Sequence, residues 1–146
     1  KQSAAIGQQR LCPIAQPIRQ FWTINGVLIT LIALVFYLVP GGLMAIAPWA
    51  MTPLTARTLC GWLIAVGTLQ AWMAWEGDWY RIKIASTMLV ILPFALLFLW
   101  VRYSSDIDWS NGSLWVLLLD FSLNSVLCIY LWWVWTGRPS RRTERC

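Results

Sequence analysis

The sequence predicts an all-α fold, a polytopic membrane protein whose four transmembrane helices form an up-down bundle. Hydrophobic residues make up 59% of its 146 residues and charged residues only 12%, whereas soluble domains average roughly 45–50% and about 25%. Four apolar runs each approach the ~20 residues that a helix needs to cross a bilayer. A soluble enzyme is excluded, because so few charges could not cover a water-exposed surface.

The spans follow from the apolar runs and from the turn residues between them. We place them at about residues 21–39, 54–75, 82–103 and 114–135, between an N-terminal segment (1–20) and a basic tail (136–146). Ala45-Ile46-Ala47 is similar to a signal-peptide cleavage site, but the apolar run before it is longer than the usual 7–15 residues. We therefore expect an uncleaved first span.

The proline-rich segment 41–53 joins the first two spans. We expect it to form a short interfacial turn or half-helix, with a re-entrant loop as the alternative. Thr52 is a candidate N-cap of the second span and Pro53 its first helical residue.

Lysine and arginine predict the orientation. All 11 except Arg57 and Arg102 lie in segments that share one side of the membrane with the N-terminus. Because cytoplasmic segments carry the excess of positive charge, both termini are predicted to be cytoplasmic. Most of the 12 Trp residues fall near span ends, where amphipathic indoles form interfacial belts.

The composition also restricts the chemistry. The chain has no His, which removes the commonest general base and the usual ligand of haem, zinc and copper. Cys12 and Cys146 lie in the tails, and Cys60 and Cys128 differ in depth by ~10 Å, too far apart for a disulfide. We predict no metal, no cofactor, no catalytic residue and no nucleic-acid partner; a bound lipid or pigment stays open.

Small residues on the second span predict close helix packing. Gly61 and Ala65 form one small-xxx-small pair, and Gly67 and Ala71 form another. Such pairs let helix backbones approach each other in lipid. The pairs can serve packing within the bundle or docking of another subunit, and spacing alone does not separate these alternatives.

Residues 48–81 carry a resemblance. Their sequence, PWAMTPLTARTLCGWLIAVGTLQAWMAWEGDWYR, resembles the segment W-P-W-x-L-T-P-L-T-A-R…G-A-W…E-x-D-W-R-R of an uncharacterised family of small bacterial four-helix membrane proteins. The sequence has Cys60-Gly61-Trp62 where the pattern has Gly-Ala-Trp, and Tyr80 where an Arg is usual. The resemblance implies the topology and a bacterial plasma membrane, but no chemistry.

Asp120 is the one carboxylate inside a predicted span, and Asn124 follows one turn deeper on the same face. An intramembrane carboxylate is a functional hypothesis by default. We predict that Asp120 faces the bundle interior and is held ionised by Arg57 or Arg102, a structural clamp on the outer half of the bundle. A proton or cation site and a neutral hydrogen-bonded Asp are the alternatives. The remaining buried polar candidates are expected to make helix–helix hydrogen bonds: Asn25, Gln70 and Ser86.

Three function classes then compete. The first is a non-catalytic accessory subunit that packs against a larger bacterial membrane assembly, respiratory or photosynthetic, and is favoured by short loops and the lack of a catalytic constellation. The second is a small oligomeric transporter or channel with Asp120 as its proton- or cation-coupling group. The third is a membrane enzyme, which ranks last because the chain lacks His and has no carboxylate cluster.

Overall fold

A computed structural model describes residues 13–136, and no strand lies within them. The predictions about Cys12, Cys146 and the charges of the basic tail concern residues outside this range. The described chain forms five α-helices, with a 3₁₀ turn at Ser104–Asp106: α1 (Gln16–Leu38), α2 (Pro40–Ile46), α3 (Pro53–Glu76), α4 (Trp79–Arg102) and α5 (Gly112–Thr136). The four long helices agree with the predicted spans within a few residues at most of their ends.

Three of the long helices, α1, α4 and α5, are long and apolar enough to cross a membrane. The second predicted span, α3, has the required length but is less apolar. Its sequence includes Arg57, Gln70 and several Thr and Gly residues, which lower its hydropathy. The structure thus confirms an all-α protein with three candidate membrane spans, and a fourth crossing stays a prediction.

Contacts between the helix ends establish the alternation of helix direction. At one end, the backbone N–H of Ile14 donates to the carbonyl oxygen of Gly77 at 3.0 Å, and the ring of Trp79 meets that of Trp132 edge-on at 5.8 Å. At the other end, the N–H of Asp108 donates to the carbonyl oxygen of Pro48 at 2.7 Å. The long helices therefore run alternately up and down.

The turn residues explain where α3 begins and ends. The hydroxyl of Thr52 accepts a hydrogen bond from the N–H of Thr55, with Pro53 in the first helical turn, as the sequence predicted. Gly77 ends α3 in the left-handed conformation, with φ at 61°, which favours glycine. Asp78 then caps α4 by accepting from the N–H of Tyr80. The half-helix α2 begins at Pro40 and continues into segment 41–53 as far as Ile46.

The helices pack in two pairs, α1 against α3 and α4 against α5. Within the second pair, Pro93 has no N–H to donate to the carbonyl of Leu89 one turn earlier. The hydroxyl of Ser125 on α5 donates to that carbonyl at 3.1 Å. This bond satisfies a backbone group that a membrane interior would leave without water.

Candidate functional site

Four polar side chains from three helices meet near the middle of the bundle. On α1, Nδ2 of Asn25 donates to Oε1 of Gln70 on α3 at 3.0 Å and to Oδ1 of Asp120 on α5 at 2.8 Å. One turn along α5, Nδ2 of Asn124 donates to the backbone oxygen of Asp120 at 2.8 Å and approaches its Oδ1 at 3.3 Å. We call these four residues the polar cluster.

Two members of the polar cluster are buried, Asn25 and Asp120 are half-buried, and the hydrogen bonding of the cluster is incomplete. Gln70 and Asn124 are 0% and 1% exposed. Within the described residues, Nε2 of Gln70 and Oδ1 of Asn124 have no hydrogen-bond partner, and neither has Nε1 of Trp22, one turn before Asn25 on α1. Buried polar groups are nearly always paired, so the cluster has unused donor and acceptor capacity for a water molecule or a small polar group.

The structure places Asp120 against two amides and not against an arginine. Neither Arg57 nor Arg102 forms an ion pair with Asp120. Within residues 13–136 the one ion pair joins Arg81 to Glu76, at 2.8 Å. The guanidinium of Arg102 lies 5.6 Å from the centroid of the Tyr103 ring. The predicted ion pair of Asp120 with an arginine is therefore wrong, and the partner of Asp120 on α1 is the amide of Asn25. This amide reaches hydrogen-bond distance without bringing an arginine charge into the bundle.

Of the three other polar residues that were expected to make helix–helix hydrogen bonds, two do so and one does not. Asn25 and Gln70 join α1 to α3, as expected of helix–helix hydrogen bonds. Ser86 instead donates to the backbone oxygen of Lys83 in its own helix at 2.8 Å. A Ser in a helix has this local acceptor available at all times, so burial of its hydroxyl does not require a second helix.

The predicted small-residue pairs face in different directions. Gly67 packs into α1: a Cβ on it would lie 2.5 Å from Oγ1 of Thr30 and 2.7 Å from the backbone oxygen of Gly26. A Cβ on Gly26 would lie 2.8 Å from the backbone nitrogen of Ala71. Gly61, with no atom within 4 Å of its Cβ position, and Ala65 are exposed. One pair thus serves packing within the chain, and the other is open.

Sequence reasoning did not identify the role of Arg19. Its Nε donates to the backbone oxygen of Ala74 at 2.9 Å, and its guanidinium lies beside Gly77. A basic side chain at the C-terminus of a helix bonds carbonyls that have no partner within the helix. Because Arg19 is 55 residues from Ala74 in the sequence, only the tertiary pairing of α1 with α3 reveals it as a cap.

Cys60 and Cys128 are free, buried thiols. No group of three or more His, Cys, Asp or Glu within the described range could hold a metal ion.

Comparisons with known proteins assign the chain to no family. No protein-family model, curated protein or solved structure matches the chain. The resemblance of residues 48–81 to the uncharacterised four-helix family therefore stays a prediction, and the function must be argued from the helices themselves.

Proposed function

We propose that the protein is a non-catalytic accessory subunit that packs against a larger bacterial membrane assembly. The observation that carries this proposal is an exposed row of small residues along α3, Thr58, Gly61, Ala65 and Thr68. We call this row the α3 stripe. Its members recur at alternating steps of three and four residues, which places them on one side of the helix.

The α3 stripe has the shape that another helix needs for close approach. Its residues project little beyond the backbone, and small-xxx-small spacing is typical of helix–helix contacts in lipid. The hydroxyls of Thr58 and Thr68 donate to the backbone oxygens of Leu54 and Ile64, at 3.0 and 2.7 Å. Their donors are therefore satisfied within α3, so that a partner need supply only packing.

The lower hydropathy of α3 supports the same proposal. The interior side of α3 is occupied by α1, and the α3 stripe lies on the other side. Between the exposed side chains of Leu54 at one end and of Trp72 and Trp75 at the other, the α3 stripe itself presents small residues that gain little from lipid contact. A neighbouring protein helix would gain dispersion contacts with the backbone there. The partner is therefore another membrane subunit, and α3 crosses the bilayer as the fourth span beside it.

The charges favour a bacterial plasma membrane with both termini in the cytoplasm. Within the described part, Arg19, Arg81 and Lys83 lie at the end of the bundle that holds the α3–α4 turn. Arg57 and Arg102 lie at the opposite end. The positive-inside rule assigns the first end to the cytoplasm.

A second candidate function, cation- or proton-coupled transport, has one observation in its favour. The unpartnered atoms of Gln70 and Asn124 lie beside Asp120. Together they would offer a donor and several oxygens to a passing ion or water. Accessory packing is favoured because the polar cluster joins three helices of one chain, whereas a pathway would need polar groups along the bilayer normal.

Purification in mild detergent tests the two functions against each other. Under the accessory proposal, the wild-type protein migrates on native gels with larger membrane proteins in fixed stoichiometry, measured by mass spectrometry. Ala65→Leu, which fills the α3 stripe, releases it; Ala95→Leu, at an exposed position of α4, does not. A homodimer as the sole species, unaffected by Ala65→Leu, would contradict the accessory function and favour transport.

A further inference from the structure

A cavity of about 740 Å³ opens where α3, α4 and α5 diverge, at the end of the bundle opposite the α3–α4 turn. Its inner wall is hydrocarbon, formed by Leu63, Leu96, Leu117 and the buried ring of Phe121. The volume is within the range of sites that hold one small organic molecule, ~300–1,000 Å³. The inner wall can thus hold part of an apolar chain.

The outer wall of the cavity is aromatic. Trp49, Trp62, Trp100 and Tyr103 line it, and Asp106 provides the one carboxylate among the described lining residues. Aromatic faces attract cations, including a primary ammonium such as that of Lys, through their quadrupole. The Asp106 carboxylate also attracts cations, so this end of the cavity is suited to a positively charged group.

Trp100 indicates a second requirement of the occupant. Its side chain is only 6% exposed and lines the cavity. The N–H of a buried Trp usually finds an acceptor. An ester or phosphate oxygen of a molecule in the cavity would be such an acceptor for Trp100.

A positive charge lies beside a residue that lines the cavity. The guanidinium of Arg102 lies 5.6 Å from the centroid of the Tyr103 ring, which lines the cavity near Asp106. A carboxylate that lines the cavity, with a guanidinium beside the lining residue Tyr103, complements a zwitterion better than an ion of either sign. An anionic headgroup would be attracted by Arg102 but repelled by Asp106.

We propose that this cavity binds one phospholipid with an ammonium headgroup, of the phosphatidylethanolamine class. The ammonium group lies among the aromatic rings and Asp106, the phosphate lies toward Arg102, and an acyl chain follows the wall that contains Phe121. The bilayer supplies this ligand directly, because the cavity lies between helices that face lipid. This lipid site is independent of the α3 stripe and of the proposed accessory function.

Native mass spectrometry of the delipidated protein tests this inference, with phosphatidylethanolamine and phosphatidylglycerol of matched acyl chains as the probes. We expect one phosphatidylethanolamine per chain to be retained in preference to phosphatidylglycerol. Asp106→Asn removes the carboxylate at an exposed position and should weaken that retention about three- to fivefold. Glu76→Gln, at the opposite end of the bundle, is the matched control and should leave it unchanged.

A second pair of variants separates binding from folding. Trp62→Leu removes one ring of the cavity, whereas Trp133→Leu removes an exposed ring on α5. The first should lower retention of phosphatidylethanolamine and the second should not. The proposal is overturned by equal retention of the two lipids, by a preference for phosphatidylglycerol, by retention that neither Asp106→Asn nor Trp62→Leu lowers, or by a co-purified quinone that fills the site.

Discussion

Gly26 of α1 and Gly67 of α3 face each other at the crossing of their helices. A Cβ added to either would lie 2.5 or 2.7 Å from the backbone oxygen of the other, closer than carbon and oxygen can pack. The absence of both side chains allows the two backbones to touch. The nearby hydroxyl of Thr30 donates to the oxygen of Gly26 at 2.7 Å and lines the same contact.

Gly67→Ala should destabilise the protein, because its methyl group would collide with the backbone of α1. Overpacking of this kind costs about 1–3 kcal/mol. Gly61→Ala is the matched control, since its Cβ position is open and Ala favours the helix by up to ~1 kcal/mol. Thermal unfolding in detergent measures both. Equal losses of stability would show that α1 and α3 do not meet at Gly67.

Asn25→Ala and Asp120→Ala should be energetically coupled, because the amide of Asn25 donates to the Asp120 carboxylate. A double-mutant cycle should give a coupling of about 0.5–2 kcal/mol in the free energy of unfolding. Pairing Asp120→Ala with Arg57→Ala or Arg102→Ala should instead give effects that add within ~0.5 kcal/mol. If Asp120 were coupled to an arginine and not to Asn25, the result would favour the ion pair that the sequence first predicted.

Ser125→Ala should destabilise the protein by about 1 kcal/mol, because it leaves the Leu89 carbonyl without a partner. In a Pro93→Ala background the loss should be smaller, because an N–H at position 93 can then donate to that carbonyl. Ser122→Ala, at an exposed position of the same helix, is the control. Denaturant titration of the four variants measures the difference, and an unchanged cost in the Pro93→Ala background would refute the link.

Asp108 should titrate below the ordinary range of a carboxyl group. The side chain of Ser110 and its backbone N–H both donate to Oδ1 of Asp108, at 2.6 and 3.0 Å, and these bonds lower the pKa of Asp108. The bonds favour the folded loop above the ordinary carboxyl pKa, and their contribution is lost as the pH falls through the lowered value. In ¹³C NMR, Ser110→Ala should raise the pKa and Ser105→Ala should not. A Ser110→Ala variant with an unshifted titration would exclude this cause.

The long apolar runs and the turn residues were sufficient to predict the helices. Thr52 and Pro53 marked the start of α3, and the structure confirms that start. The sequence predicted four spans, whereas the structure confirms three candidates, because the hydropathy of α3 is too low. Hydropathy therefore predicts helix positions better than it predicts how many of them cross the membrane.

Side-chain partners were harder to predict, because depth in the membrane does not specify rotation about the helix axis. The depth of Asp120 made Arg57 and Arg102 possible partners, yet the rotation of α1 brings Asn25 to it first. The same rotation separates Gly67, which packs inside, from Gly61, which is open. Both outcomes depend on the α1–α3 crossing, which the spacing of small residues on α3 alone could not locate.

Photo-crosslinking from the α3 stripe tests the accessory function most directly. A benzophenone amino acid at position 65 in intact cells should crosslink to a larger membrane protein, identified by mass spectrometry. The same group at position 95, exposed on α4, should not form that product. Crosslinking of position 65 to lipid alone, or the same products from both positions, would show that the α3 stripe faces the bilayer and would contradict the account.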